Sequence, residues 1–117
     1  MQSLVIYDSN YGSTKAIAEE IAKELKTNIV FVDDFDIDMI KNKELLIFGT
    51  PIIGWQPTVK MQAILKELTT ISLVGIKIAT FDTRIKLFIH GDAMNKMMKH
   101  LQKLGGQPII ESQLFYV

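Results

Sequence analysis

The stretch Leu4-Val5-Ile6-Tyr7-Asp8-Ser9-Asn10-Tyr11-Gly12-Ser13-Thr14, together with the amphipathic run that follows it to Lys26, decides how this chain is read. Leu4 to Tyr7 is a short apolar run with β-branched residues and reads as a strand. From Thr14 to Lys26, Ile17, Ile21 and Leu25 recur every four residues with Ala18 and Ala22 alongside, the period of a helix that buries one face. A strand that turns directly into a helix presents the first helical N–H groups, which lack intrahelical acceptors and carry about half a positive charge. A phosphate placed there gains hydrogen bonds and dipole stabilisation together. Ser9, Ser13 and Thr14 add hydroxyl donors, and Gly12 permits a close approach that a side chain would block. The plainer alternative is that Ser13 or Thr14 only caps the helix. Five polar or Gly positions among the six from Ser9 to Thr14 favour a phosphate ligand.

Working outward, the same alternation repeats. Ile29 to Val32 reads as a second strand, a polar stretch with Ile37 and Ile40 as one short helix, and Leu45 to Phe48 as a third strand. Met61, Ile64, Leu65 and Leu68 stripe a helix over Val59 to Leu68, and Ile76 to Phe81 is a fourth strand. Met94, Met97, Met98, Leu101 and Leu104 stripe another helix, and Pro108-Ile109-Ile110 begins a fifth strand. Continuous apolar strands alternating with helices predict an open parallel α/β sheet with helices on both faces, joined by right-handed crossovers. Ligands of such sheets sit beyond the carboxyl ends of the strands, so chemistry is sought at Ser9 to Ser13, Asp33 to Asp38, Gly49 to Pro57 and Asp82 to Asp92.

Composition narrows the function. The chain of 117 residues is the length of one domain, with 48% hydrophobic and 22% charged residues, well away from disorder. Thirteen basic residues balance thirteen acidic ones, so the overall charge that draws many proteins to nucleic acid or anionic membranes is missing, and neither is an expected partner. Without cysteine there is no disulfide scaffold, zinc ribbon, iron–sulfur ligation or thiol catalysis. The longest uncharged run, Leu45 to Val59, is broken by Pro51 and Pro57 and is shorter than the ~18 apolar residues a membrane helix needs. No basic segment precedes an apolar core at the start, so a cytoplasmic location is expected. His90 and His100 lack metal-ligand spacing and read as surface or loop residues.

Two other phosphate motifs fail on spacing, because the Walker loop and the dinucleotide fingerprint each need further glycines around Gly12. Asp33 and Asp34 end the second strand about 20 residues on, where a ribose-binding acid would sit, which leaves a nicotinamide site open. At this point the run Ile6 to Thr14, with Ala18 and Ile21, resembles the flavodoxin signature in which a (Thr/Ser)-x-x-x-Gly-x-Thr loop wraps the phosphate of FMN. Phe48-Gly49-Thr50-Pro51-Ile52 is similar to the second FMN loop of that family, and Ala79-Thr80-Phe81-Asp82-Thr83-Arg84 to the third loop of one of its branches. The resemblance covers nearly all of the chain. It implies a flavodoxin-like sheet of order 2-1-3-4-5 and FMN as cofactor. Ser9, Asn10, Tyr11, Gly12, Ser13 and Thr14 would then hold phosphate. Thr50, Pro51, Ile52, Gly54 and Trp55, with Phe81, Asp82, Thr83 and Arg84, would flank the isoalloxazine.

The residues themselves agree at Trp55, the only Trp, whose loop with Pro51, Gly54 and Pro57 lies at the ligand end and could offer a flat apolar face to a ring. Gly54 lets its neighbouring peptide turn over, and in the family such a peptide bonds to the reduced ring. The implied activity is electron transfer between redox partner proteins, with no catalytic acid or base and no metal. Alternatives are a flavin-dependent NAD(P)H or quinone reductase, and a flavin-free assembly module. Three departures stand out: no Tyr in the third loop, zero net charge with an acidic rim at Asp33, Asp34, Asp36 and Asp38, and no room for the family's last helix after Leu114 to Val117. The rim reads as a solvated turn with helix caps. The missing helix would leave an apolar strip beside the first helix and so predicts a homodimer or a docked partner.

Overall fold

The structure is a computed structural model that describes residues 2–9, 12–51, 57–84, 93–108 and 113–116. In chain order it runs β1 (Ser3–Tyr7), α1 (Ser13–Leu25), β2 (Asn28–Phe31), β3 (Leu45–Pro51), α2 (Val59–Glu67), β4 (Lys77–Arg84), α3 (Ala93–Lys103), β5 (Gln107–Pro108) and β6 (Gln113–Tyr116). Single 3-10 turns at Val32–Asp34 and Ile37–Ile40 replace the one short helix expected between β2 and β3. The strands form one parallel sheet of order β2-β1-β3-β4-β5, with β6 also on β4. The expected 2-1-3-4-5 order therefore holds.

Strict alternation along each strand divides the core in two. Leu4, Ile6, Leu46, Phe48 and Ile78 point to one face and pack with Met61 and Leu65 of α2, with Leu68 just beyond it, and with Met97 and Leu101 of α3. Val5, Tyr7, Leu45, Ile47, Ala79 and Phe81 point to the other and pack with Ala18 and Ala22 of α1. Burial on both sides explains why these strands read as unbroken apolar runs, and each such side chain contributes roughly 1.5–3 kcal/mol through removal from water. Met97 is fully buried and Met98 packs partly buried against the same cluster, so these two methionines of α3 serve the core. Small Ala18 and Ala22 let α1 lie close on its face. At the expected apolar strip beside α1, Ala79 and Phe81 are already buried, and the next described positions, Lys77 and Gln107, are exposed and polar.

Two strand ends lie three residues beyond the sequence reading, and lateral pairing explains both. β3 runs past Phe48 to Pro51, and β4 past Phe81 to Arg84, because Gly49, Thr50 and Pro51 pair with Phe81, Asp82 and Thr83. Asp82 to Arg84 are therefore strand, paired on their other side with Leu114 to Tyr116, and not the start of a loop. Of the expected fifth strand, Gln107 and Pro108 pair with Lys77 and Ile78, Gln113 to Tyr116 pair with Phe81 to Arg84, and Ile109 and Ile110 lie outside the described residues.

Candidate functional site

The strand order reverses between β1 and β3, and the ends of these two strands carry the first two loops. Tyr7 is paired with Gly49, and the Asp8 amide donates to the Gly49 carbonyl at 3.0 Å, so the two loops leave the sheet side by side. The Asp8 carboxylate is buried, and its Oδ1 accepts from the Ser9 amide at 2.8 Å. Ser9 Oγ in turn accepts from the Gly12 amide at 3.0 Å. Gly12 has φ 90°, in the left-handed region that favours glycine, and a Cβ there would meet no described atom within 4 Å. It is the N-cap of α1, its carbonyl accepts from the Ala16 amide at 2.9 Å, and as a glycine it offers the helix no side-chain cap of its own. The first turn of α1 holds no acidic residue. Thr14 is buried beneath the turn. A glycine at positive φ that starts a helix suits an anion.

The second loop has well-tied stems. Thr50 is fully buried, and its hydroxyl donates to the Pro51 carbonyl at 3.1 Å and accepts from the Thr58 amide at 3.2 Å. Thr58 caps α2, its Oγ1 accepting from the Met61 amide at 3.1 Å, and Gln62 Nε2 donates to the Pro57 carbonyl at 2.8 Å. Gly49 is required by its neighbour, because a methyl group there would run into the Phe81 ring. Phe81 itself is 3% exposed and forms part of the α1-side core under this floor. Of the third-loop residues, Asp82, Thr83 and Arg84 are placed by their backbone at the carboxyl end of β4. Asn10, Tyr11, Ile52, Gly54 and Trp55 lie outside the described residues.

A charged group stands at the start of α2. Lys60, in the first turn of α2, bonds both carboxylate oxygens of Asp33 at 3.0 and 2.9 Å and lies 5.7 Å from the centre of the Phe31 ring. That hydrogen bond holds the ammonium above the ordinary lysine value, with smaller support from the charges of Asp33 and Asp8 against some loss of hydration. Asp33 is thus engaged by a lysine. Asp36 accepts from the Asp38 amide at 2.9 Å, the cap expected of this acidic turn. His100 departs from the expected surface or loop position. It is on α3, partly buried against α2, with Nε2 2.6 Å from the Leu65 carbonyl, because α3 packs along the C-terminal end of α2.

Asp8, Thr58, Lys60 and Gln62 were not among the site residues suggested by the sequence. Only Thr58 carried a local signal, as a threonine before the first apolar residue of a helix. Gln62 and Lys60 matter through partners 5 and 27 residues away, and the Asp8 amide through Gly49 on the neighbouring strand, which no pattern within one element encodes. Among the described residues no helix is long and apolar enough to cross a membrane, and no cluster of metal-ligating side chains occurs.

An open parallel sheet with an anion-accepting turn at its switch point defines a class of ligand-binding α/β proteins, of which flavodoxins with FMN are themselves a standard illustration. The flavodoxin family model matches residues 5–112, and the chain belongs to the flavodoxin family. It is 30% identical over 102 residues to an uncharacterised protein of Methanocaldococcus jannaschii, with 83% of this chain aligned and 66% of that protein's length spanned. The fold is similar to that of a flavodoxin from the domain Archaea, with TM-score 0.90 and 20% identity over all of this chain and 84% of the other. Oxidised flavodoxin 1 from Bacillus cereus gives 0.87 and 20%, over all of this chain and 85% of the other. The rubredoxin oxygen:oxidoreductase of Desulfovibrio gigas gives 0.90 and 13%, with 98% of this chain matching 30% of that much longer one.

Proposed function

We propose that this chain binds FMN and carries electrons between partner proteins. The observation that carries the reading is the start of α1. There, Gly12, at positive φ and with no side chain of its own, opens the helix at the β1/β3 switch point, in a chain of the flavodoxin family. When bound, FMN would supply the redox chemistry, in one- or two-electron steps. The protein's share is binding and placement. The turn from Ser9 to Thr14 would hold the phosphate. Ser9 Oγ, which accepts from the Gly12 amide, would yield that donor to the stronger acceptor, a charge-assisted exchange. Thr50, Pro51, Ile52, Gly54 and Trp55 on one side and the end of β4 on the other would flank the ring. No side chain is asked to move a proton.

The test is titration of the chain with FMN, followed by flavin absorbance and Trp55 emission, with riboflavin as the ligand lacking phosphate. Two charge-assisted hydrogen bonds predict that FMN binds about a hundredfold more tightly. Equal affinities would remove the role given to the turn. Oxidation of NAD(P)H by the FMN-loaded chain alone would favour a reductase over a carrier.

A further inference from the structure

The hydroxyl of Thr50 sits on the central strand β3, fully buried, facing the α2 side of the core, where a purely apolar side chain would pack as well. Its hydrogen bonds go to the two stems of the connection from β3 to α2. The donor is used by Pro51, the last residue of the strand, and the acceptor by the amide of Thr58, the residue that caps the helix. A second tie lies outside it, from Gln62 in α2 back to the Pro57 carbonyl. A buried hydroxyl needs partners, and here both belong to this one connection. The β-branch of threonine restricts rotation at χ1, so the hydroxyl is held in place by the packing of the strand.

We propose that Thr50 is a positioning residue. Its hydroxyl clasps the stems of the second loop and so presets the ring end of the flavin site, without contacting the phosphate. This rests on the flavin reading above. A preset site avoids the ordering cost that a loose one meets at the moment of binding. Because the clasp serves the ring end, its loss weakens ligands with and without phosphate alike, which separates it from any role in the first turn.

The experiment compares wild type, Thr50→Val and Thr50→Ser by binding of FMN and of riboflavin, followed by flavin emission, and by amide exchange at Thr58. Thr50→Val keeps the shape and removes the hydroxyl. It is expected to weaken both flavins by the same factor, about tenfold, and to speed exchange at Thr58. Thr50→Ser, which keeps the hydroxyl, stays within about twofold of wild type on both measures. Wild-type affinities in Thr50→Val, loss of FMN affinity alone, or equal loss in Thr50→Ser would each overturn the proposal. Should Thr50→Val fail to fold, the exposed variant Gln62→Met cuts the outer tie and is expected to weaken both flavins by about two- to threefold; no change overturns the clasp. A wild-type chain that binds neither flavin overturns the flavin reading itself. Exchange at Thr58 then tells that failure apart from the absence of the tie.

Discussion

Helices α1 and α2 both start just beyond the carboxyl end of a neighbouring central strand, yet they start in opposite ways. α2 closes its own first turn. Thr58 accepts from Met61, its amide is taken by Thr50, and Gln62 covers the carbonyl before it. α1 opens on Gly12, which has no side chain to give and stands in the left-handed region with no described atom within 4 Å of where a Cβ would be. Both lack acidic residues in the first turn, so the difference lies in the cap alone. A helix that satisfies its own amides is a structural wall. One that begins on glycine at the switch point leaves its partial positive charge for a ligand.

The largest expected effect comes from giving α1 the kind of cap α2 has. Gly12→Asp supplies an oxygen acceptor and a negative charge where the phosphate would sit. FMN affinity is expected to fall about a hundredfold while riboflavin changes little, read by the same titrations. Stability should move by only about 1 kcal/mol, since a favourable cap opposes the strain of a side chain at positive φ. The comparison breaks if FMN and riboflavin suffer equally.

The converse change is smaller. Thr58→Ala removes the cap of α2 and is expected to cost about 1 kcal/mol in urea unfolding. Its amide remains available to Thr50, so the ratio of FMN to riboflavin affinity should stay as in wild type. A change in that ratio would mean the two helix starts are not independent.

The smallest effect concerns Lys60, which joins the start of α2 to the end of β2 through Asp33. Its folded-state pKa is raised above the ordinary value of 10.5, chiefly by that hydrogen bond. The pair therefore contributes fully below the unfolded value and is lost as pH rises through the folded one. Thermal melts across the alkaline range should show a slight decline in wild type that Lys60→Met lacks. Because both partners are about half exposed, added salt should shrink it further.

How much of this was legible beforehand differs by element. The strand from Leu4, the helical stripe from Ile17 and the turn around Gly12 lie within one continuous stretch, so local periodicity was enough to place them. Phe81 was different. Its motif position suggested a place beside the ring, and its side chain also fills the space above Gly49, a partner 32 residues away that only the parallel register brings near. His100 likewise looked like a surface residue until α3 was laid against the end of α2.

The chain's own pattern determined the α/β class and the turn that could hold an anion, because each follows from short-range periodicity and from the chemistry of consecutive residues, while the strand order was implied by the family resemblance. Only the tertiary structure decided where strands stop, which phenylalanine is core and which threonine serves as a tie. These depend on register between strands and on helices docking across a sheet, where groups far apart in the chain must satisfy one another's buried polar atoms.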